Sequence, residues 1–599
     1  MKIREILSRL SPAFGREDVI CRLFTSWLFA SLILVMGGTV VYDSLSYTAS
    51  VSFPILILLF ALLFVAFSVL DYFLRDFPCD PIALFAVSVA SAIYWLSDKS
   101  NPFVALAVFV FLALVMLYAV HRTDVLFERI RISRRVLWIS VAAFALIFCT
   151  VVSIIGCLRY LCFFASNYDF GLFCDMFYSM RENGLPLTTS ERDKLLSHFA
   201  VHISPIYYLI LPFFCIFPSP LTLQIAQAVV LALGVIPLLL LAKHFGLSRG
   251  TSLLLSGLYL FYPALSAGCF YDIHENCFLP LLLLFTFYFY EKKQAIPMYV
   301  SALLVLAVKE DAAVYLFLFA VYLLIARRSY IHGAILSVLS LTYFSLAIFL
   351  LTKFGDGAMI GRFDNLIYDQ SEGLIGAVKT ALANPGFLLT QLFSATGSSW
   401  GKVLYFLQMM LPLGFLPFLT KKASRWLLVL PILLNLLTAY VYQYDIGFQY
   451  HFGILAFLFY AAAQNLPEIS AGLRTRTLAL ALAGCICFFS AAALPNLGYY
   501  ARTYAATKND CAEMQKALEL IPKDASVSAS GYLLAHIADR AVVYEVAYHG
   551  NKTDVDYVAL DLRYGADVSK TTHYYETRGY RTLTELDGLL LILVSPRVK

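Results

Sequence analysis

Runs of about 20 apolar residues, each enough to cross the hydrocarbon core of a bilayer, recur along the first 500 positions of this 599-residue chain. Hydrocarbon offers no water to backbone N–H and C=O groups, so a spanning segment must be a helix or a strand of a closed barrel. Runs of this length specify helices. Sixty per cent of residues are apolar and 14% charged, with a mean hydropathy of +0.77, which excludes an ordinary soluble domain. The net charge of +5 comes from Arg and Lys between the runs. It carries orientation and implies no nucleic-acid partner. The 12 cysteines are scattered, many within apolar runs (Cys149, Cys157, Cys162, Cys485, Cys487), with no CxxC spacing. They read as small hydrophobes and not as a disulfide or zinc framework.

Spans are expected near 23–42, 51–70, 81–97, 102–121, 136–160, 220–242, 251–266, 277–290, 296–308, 311–326, 331–352, 402–419, 424–441, 447–463 and 477–497, about 15 in all. The first follows a basic segment without a small-residue cleavage pattern and reads as a retained helix. The segment 205–217, containing Pro212, is too short to cross and reads as re-entrant. Threaded this way, one set of loops holds 22 Lys and Arg and the short loops of the other set hold two, Lys99 and Lys309. That bias places the N-terminus in the cytoplasm and the C-terminus outside. Residues 165–204 and 353–401 form long outer loops, the first long enough for one or two interfacial helices broken at Gly184-Leu185-Pro186. Beyond residue 500 the character changes. Twenty-five of the last 100 residues are charged, and the pattern suggests a small α/β domain. A helix is expected at 509–520 and strands at 525–529, 541–544, 557–562 and 589–594.

The carboxylates and imidazoles gather on the outer side. Asp169 lies just past the fifth span, before Phe170, Phe173 and Phe177 at helical spacing. It fits a helix cap or, functionally, a general base or cation ligand. Asp175 is secondary. His198 and His202, four apart, would share one face of a helix, a spacing that suits a metal pair or a phosphate clamp. Asp272, His274, Glu275 and Asn276 crowd one short loop. Lys309-Glu310-Asp311 sits between apolar segments near membrane depth, where charges are functional or pair internally. Arg159 ends the fifth span as a snorkelling anchor or a binder of an anionic headgroup. His451 follows the outer loop at 442–450.

The stretch Tyr168-Asp169-Phe170-Gly171-Leu172-Phe173, then His198-Phe199 leading to Pro205-Ile206, resembles a family of predicted multi-span membrane proteins, domain of unknown function 2079. The span 227–243, Phe270-Tyr271-Asp272-Ile273-His274-Glu275, Lys309-Glu310-Asp311 and Tyr450-His451-Phe452 continue the likeness from about Leu158 to the C-terminus. In the family, Asp-Gln usually stands where this chain has Cys174-Asp175, which weakens any role for Asp175.

That family is in turn similar to GT-C glycosyltransferases, polytopic enzymes that take sugars from polyprenyl-phosphate carriers and need an acid in the first long outer loop. The resemblance implies an all-α polytopic membrane protein with a GT-C-like core and a small extracytoplasmic α/β domain. The units would be an extra four-span segment at 1–135, a core at 136–350, further spans at 351–497 and the soluble domain at 498–599. Asp169 would occupy the acid's position, with Asp272 or Glu275 as acids of the second outer loop. Arg159, His198, His202, Asp272, His274, Glu275, Lys309, Glu310, Asp311 and His451 would bind substrate. The cation facing the departing phosphate is an Arg/His/Lys clamp or a divalent metal. The implied partners are membrane lipid and a polyprenyl-phosphate-linked sugar, in the plasma membrane. A different class, an ion-coupled transporter or a lipid or polymer exporter with Lys309-Glu310-Asp311 in its pathway, uses the same charges. It would more naturally bracket the midplane and carry inverted repeats.

Overall fold

The computed structural model describes residues 16–37, 46–74, 78–98, 101–123, 132–356, 360–394, 400–546, 554–564 and 568–598. Most of the basic N-terminal segment, the end of the first expected span, Lys99 and most of the loop at 122–135 lie outside them. The protein is a mostly helical multi-span membrane protein with a small C-terminal mixed sheet.

The apolar runs resolve into two classes. Among the described residues, eight helices are long and apolar enough to cross a membrane: Asp18–Gly37, Phe53–Phe73, Cys79–Leu96, Pro102–Thr123, Arg134–Leu161, Pro220–His244, Tyr330–Phe354 and Ala471–Leu518. The runs expected at 277–290, 296–308 and 311–326 are helices of 14, 12 and 14 residues. Those expected at 402–419 and 424–441 break into short helical turns at Pro412, Pro417 and Pro431, where proline removes a donor and stops propagation. Residues 205–217 form two short turns, Pro205–Leu209 and Leu211–Ile216. The Phe452–Asn465 helix is buried along its whole length, as expected of a helix apolar on every side at the centre of a bundle.

Arg22, expected in the basic segment ahead of the first span, is a correction to where that helix begins. It lies inside the first helix, almost wholly buried, with its Nε 2.8 and 3.0 Å from the Asp80 carboxylate and Nη2 2.5 Å from Asp71. A charge placed among helices must be paired there. This pair ties together three of the N-terminal helices. The unit then leans on the rest through the Pro102–Thr123 helix, whose Phe109 meets Phe488 at 6.2 Å.

The helix expected at 509–520 is a second correction. It is no separate element but the end of one 48-residue helix, Ala471–Leu518, which carries Pro495 within it. Around its end lies a five-stranded sheet in the order Val543–Glu545, Val527–Ala529, Tyr557–Asp561, Leu590–Val594, Arg581–Leu586. The first three strands run parallel and the last two pair antiparallel. The Arg581–Leu586 edge strand was not anticipated.

Candidate functional site

The Arg134–Leu161 helix ends in a short connection, and a tight turn at Asn167–Gly171 then carries Asp169. The Leu172–Asn183 helix follows, closed by Gly184 at φ 77°, a left-handed conformation that glycine adopts at little cost. Phe170, Phe173 and Phe177 are all buried and anchor this segment. Asp169 is therefore no simple helix cap. Ser166 precedes the turn, and the Asp169 side chain is 29% exposed into a cavity of about 520 Å³. The first long loop also holds a two-stranded hairpin, Leu187–Thr188 with Leu196–Ser197, in place of a second interfacial helix.

Almost every other acid near the cavity is buried against a base. Asp272 is fully buried, with Oδ2 2.8 Å from the Arg159 guanidinium and Oδ1 accepting from Gln224 at 2.9 Å. Glu275 places Oε1 2.8 Å from Lys309 Nζ and accepts at Oε2 from the Tyr207 hydroxyl at 2.7 Å. Glu310 meets His202 Nδ1 at 2.9 Å and accepts from the Ile203 amide at 3.1 Å. Glu191 meets His198 Nδ1 at 3.1 Å. Asp169 differs: among the described residues its ion-pair partner is His274, with Nε2 to Oδ1 at 3.3 Å, and its carboxylate stays open to the cavity. The opposite ring nitrogen of His274 lies 3.2 Å from the Asp272 carbonyl oxygen, which fixes the ring's orientation.

The cationic side of the cavity is formed by Lys309, Arg362 and Arg192, with the His202 imidazole among them. Arg362 donates to the Tyr450 hydroxyl at 3.4 Å and stacks over the Tyr450 ring at 4.7 Å. Lys309, His202 and Arg362 also border an adjoining recess of about 180 Å³, which contains Asp311 and is otherwise largely apolar, with Val314, Phe344, Ile348 and Leu374.

Some expected residues sit elsewhere. Arg159 does not snorkel. It is buried, its guanidinium 5.1 Å over the Tyr271 ring. Arg159 borders a second cavity of about 690 Å³, on the far side of Tyr271. His451 is buried with Nε2 2.5 Å from the Ala264 carbonyl, and its neighbour Tyr450 lines the main cavity instead. Asp175 accepts from the Thr189 amide, the Ser190 amide and the Ser190 hydroxyl at 2.9 to 3.1 Å, and so holds the loop. His198 and His202 share no α-helical face. His198 begins a single turn ending at Ala200, and each imidazole has its own carboxylate. No group of three His, Cys, Asp or Glu among the described residues could hold a metal ion. Sequence reasoning missed Arg362, Arg192, Glu191 and Tyr207. Only the charge run Glu191-Arg192-Asp193-Lys194 offered a signal, and such runs usually face water.

Burial and the nearby Lys309 charge lower the His202 imidazole. Burial acts to lower His274 as well, but the Asp169 charge and hydrogen bond outweigh it, and its pKa is raised. The pair therefore contributes stability that is complete below the unfolded imidazole pKa and is lost as pH rises through the higher folded value. Thermal unfolding of wild type should lose stability across that window relative to His274→Asn. Parallel pH curves for the two proteins would contradict the assignment.

The sequence matches the family described as "Predicted membrane protein (DUF2079)" over residues 159–591. No curated protein matches it. Solved structures similar at a distance include two of ArnT from Cupriavidus metallidurans. The form bound to undecaprenyl phosphate has 10% identity and a TM-score of 0.47, covering 77% of this chain and 98% of that one. The apo form has 10% identity and a TM-score of 0.42, covering 76% and 98%.

Proposed function

The chain belongs to the DUF2079 family of predicted membrane proteins, and on that premise we propose that it is a GT-C-type glycosyltransferase, with Asp169 as general base. The observation that carries the reading is one open carboxylate, Asp169, in a cavity whose cations Lys309 and Arg362, with the neutral His202 imidazole beside them, continue into a largely apolar recess. That combination suits an amphiphile with a phosphate between a sugar and a hydrocarbon chain. The phosphate would face the cations, the first isoprene units the recess, and the sugar Asp169.

The acceptor hydroxyl attacks the anomeric carbon while Asp169 takes its proton. The carbon–oxygen bond to phosphate breaks, and the electron pair leaves with the polyprenyl phosphate, with inversion at carbon. Catalysis is then largely positioning and charge neutralisation. In this reading the site lies on the extracytoplasmic face of the plasma membrane, in a bundle of the eight long helices with the shorter apolar helices packed among them.

The test is saturable binding of polyprenyl phosphate to the protein in nanodiscs, followed by turnover of polyprenyl-phosphate-hexose. Arg362→Ala should weaken binding about tenfold, the loss of a charge-assisted contact worth ~1.4 kcal/mol. Absence of binding by folded wild-type protein would sink the reading and turn attention to flux assays for a carrier.

A further inference from the structure

The turn that carries Asp169 is gripped from the C-terminal domain at three successive points. At the first, the His536 imidazole is sandwiched between Tyr160 and Phe163, with ring centroids at 4.1 and 3.6 Å and planes within 10°. Both ring nitrogens are engaged, Nδ1 with Gln515 Oε1 at 2.9 Å and Nε2 with the Tyr160 carbonyl at 3.1 Å. At the second, Arg563 donates to the Cys162 and Phe163 carbonyls at 3.1 and 2.9 Å while Asp561 holds its other side. A guanidinium here satisfies carbonyls left over at the end of the Arg134–Leu161 helix and complements its dipole. At the third, Asn167 donates to Glu545 Oε2 at 2.8 Å, and both groups are buried.

These grips converge on a backbone that would not hold itself. Phe163 has φ 58°, a left-handed conformation that an L-residue with a bulky side chain adopts only when its surroundings over-determine it. Further along, Thr189 Oγ1 donates to the Val543 carbonyl and accepts from the Val543 amide, both at 2.8 Å, which fastens the same loop to the edge of the sheet. A domain that served only as a tether would need an apolar patch. Burying a carboxylate against an amide and a guanidinium against carbonyls costs desolvation that only specific geometry offsets.

We propose that the C-terminal domain completes the Asp169 site, with His536, Arg563 and Glu545 as positioning residues that fix the 160–171 segment and hence the direction of the Asp169 carboxylate. The inference rests on the reading of Asp169 as the reacting base, and it deepens that reading by placing control of the base in a domain outside the bundle. A molecule that displaced this domain would switch the site off without touching its cavity.

The experiment uses the full chain in nanodiscs, with Glu545→Ala, His536→Ala and the stacking-conserving His536→Phe. Amide hydrogen exchange is followed over residues 160–171, with the Tyr330–Phe354 helix as an internal control for folding. The two alanine variants should exchange at least about tenfold faster over 160–171 and leave the control helix unchanged. Their kcat on polyprenyl-phosphate-hexose should fall about 10- to 100-fold, with KM and polyprenyl-phosphate affinity within about twofold. His536→Phe should recover most of both losses. Unchanged exchange over 160–171 in the alanine variants overturns the proposal while leaving the role of Asp169 intact. Faster exchange with unchanged kcat overturns it too, since the base would then need no holding. If Asp169→Asn turns over as wild type does, it is the catalytic reading that fails, and the exchange data report separately whether the domain holds the turn.

Discussion

Asp169→Asn is expected to lower sugar transfer by about 10²- to 10⁴-fold, the usual contribution of a positioned general base, while the protein stays folded and binds polyprenyl phosphate as wild type does. The substitution is nearly isosteric. It keeps an acceptor oxygen for His274, 3.3 Å away, and removes only the negative charge and the capacity to take a proton. The stability at stake is that of the His274 pair: the variant loses it at low pH, where the buried imidazole is protonated, and loses little above the pH at which His274 gives up its proton. Asp175→Asn is the matching control. Its carboxylate is buried under three hydrogen bonds from Thr189 and Ser190, and burial pushes its pKa up to about 7, so the neutral side chain should be tolerated by the chemistry. The assay is turnover of polyprenyl-phosphate-hexose alongside thermal unfolding. Wild-type turnover by Asp169→Asn would falsify the assignment of the base.

What the sequence made legible followed from local chemistry. Hydropathy announced a helical membrane protein because apolar runs in lipid have few other solutions, and the four C-terminal strands were visible as short apolar stretches between turn signals. The 48-residue helix was not legible. Its apolar pattern stops near residue 497, whereas the helix continues through an Ala-, Lys- and Asp-bearing stretch that has good helix propensity but no membrane signature. Arg22 misled for a related reason: a basic residue near the end of an apolar run looks like a loop until Asp80 and Asp71 arrive from other helices. At the site, the polar clusters were visible as clusters, but their partners were not. Glu275 finds Lys309 34 positions away, and Asn167 finds Glu545 378 positions away. His451 had the same chemical credentials as His274 yet turns into the bundle, because nothing in the sequence specifies which way a helix start faces.

Lys309→Ala is expected to destabilise the protein by about 3–5 kcal/mol, the cost of leaving one partner of a buried ion pair alone. Lys309 and Glu275 are both almost fully buried, 2.8 Å apart, and Glu275 also accepts from the Tyr207 hydroxyl. Removing the ammonium leaves a carboxylate among apolar helices that must take up a proton or unfold its surroundings. Glu275→Gln should cost less, because the amide oxygen can still accept from Lys309 while the Tyr207 hydroxyl turns to accept from the amide NH2. The double variant Glu275→Gln/Lys309→Ala should recover much of the loss, since neither charge is then stranded. Thermal unfolding in nanodiscs measures the cycle, and additive effects of the two single changes would mean that the pair is not coupled. The same cycle separates structure from binding. If Lys309 also faces the substrate phosphate, the double variant should regain stability without regaining affinity for polyprenyl phosphate. A variant that regains both would leave Arg362 as the cation that holds it, with the His202 imidazole beside it.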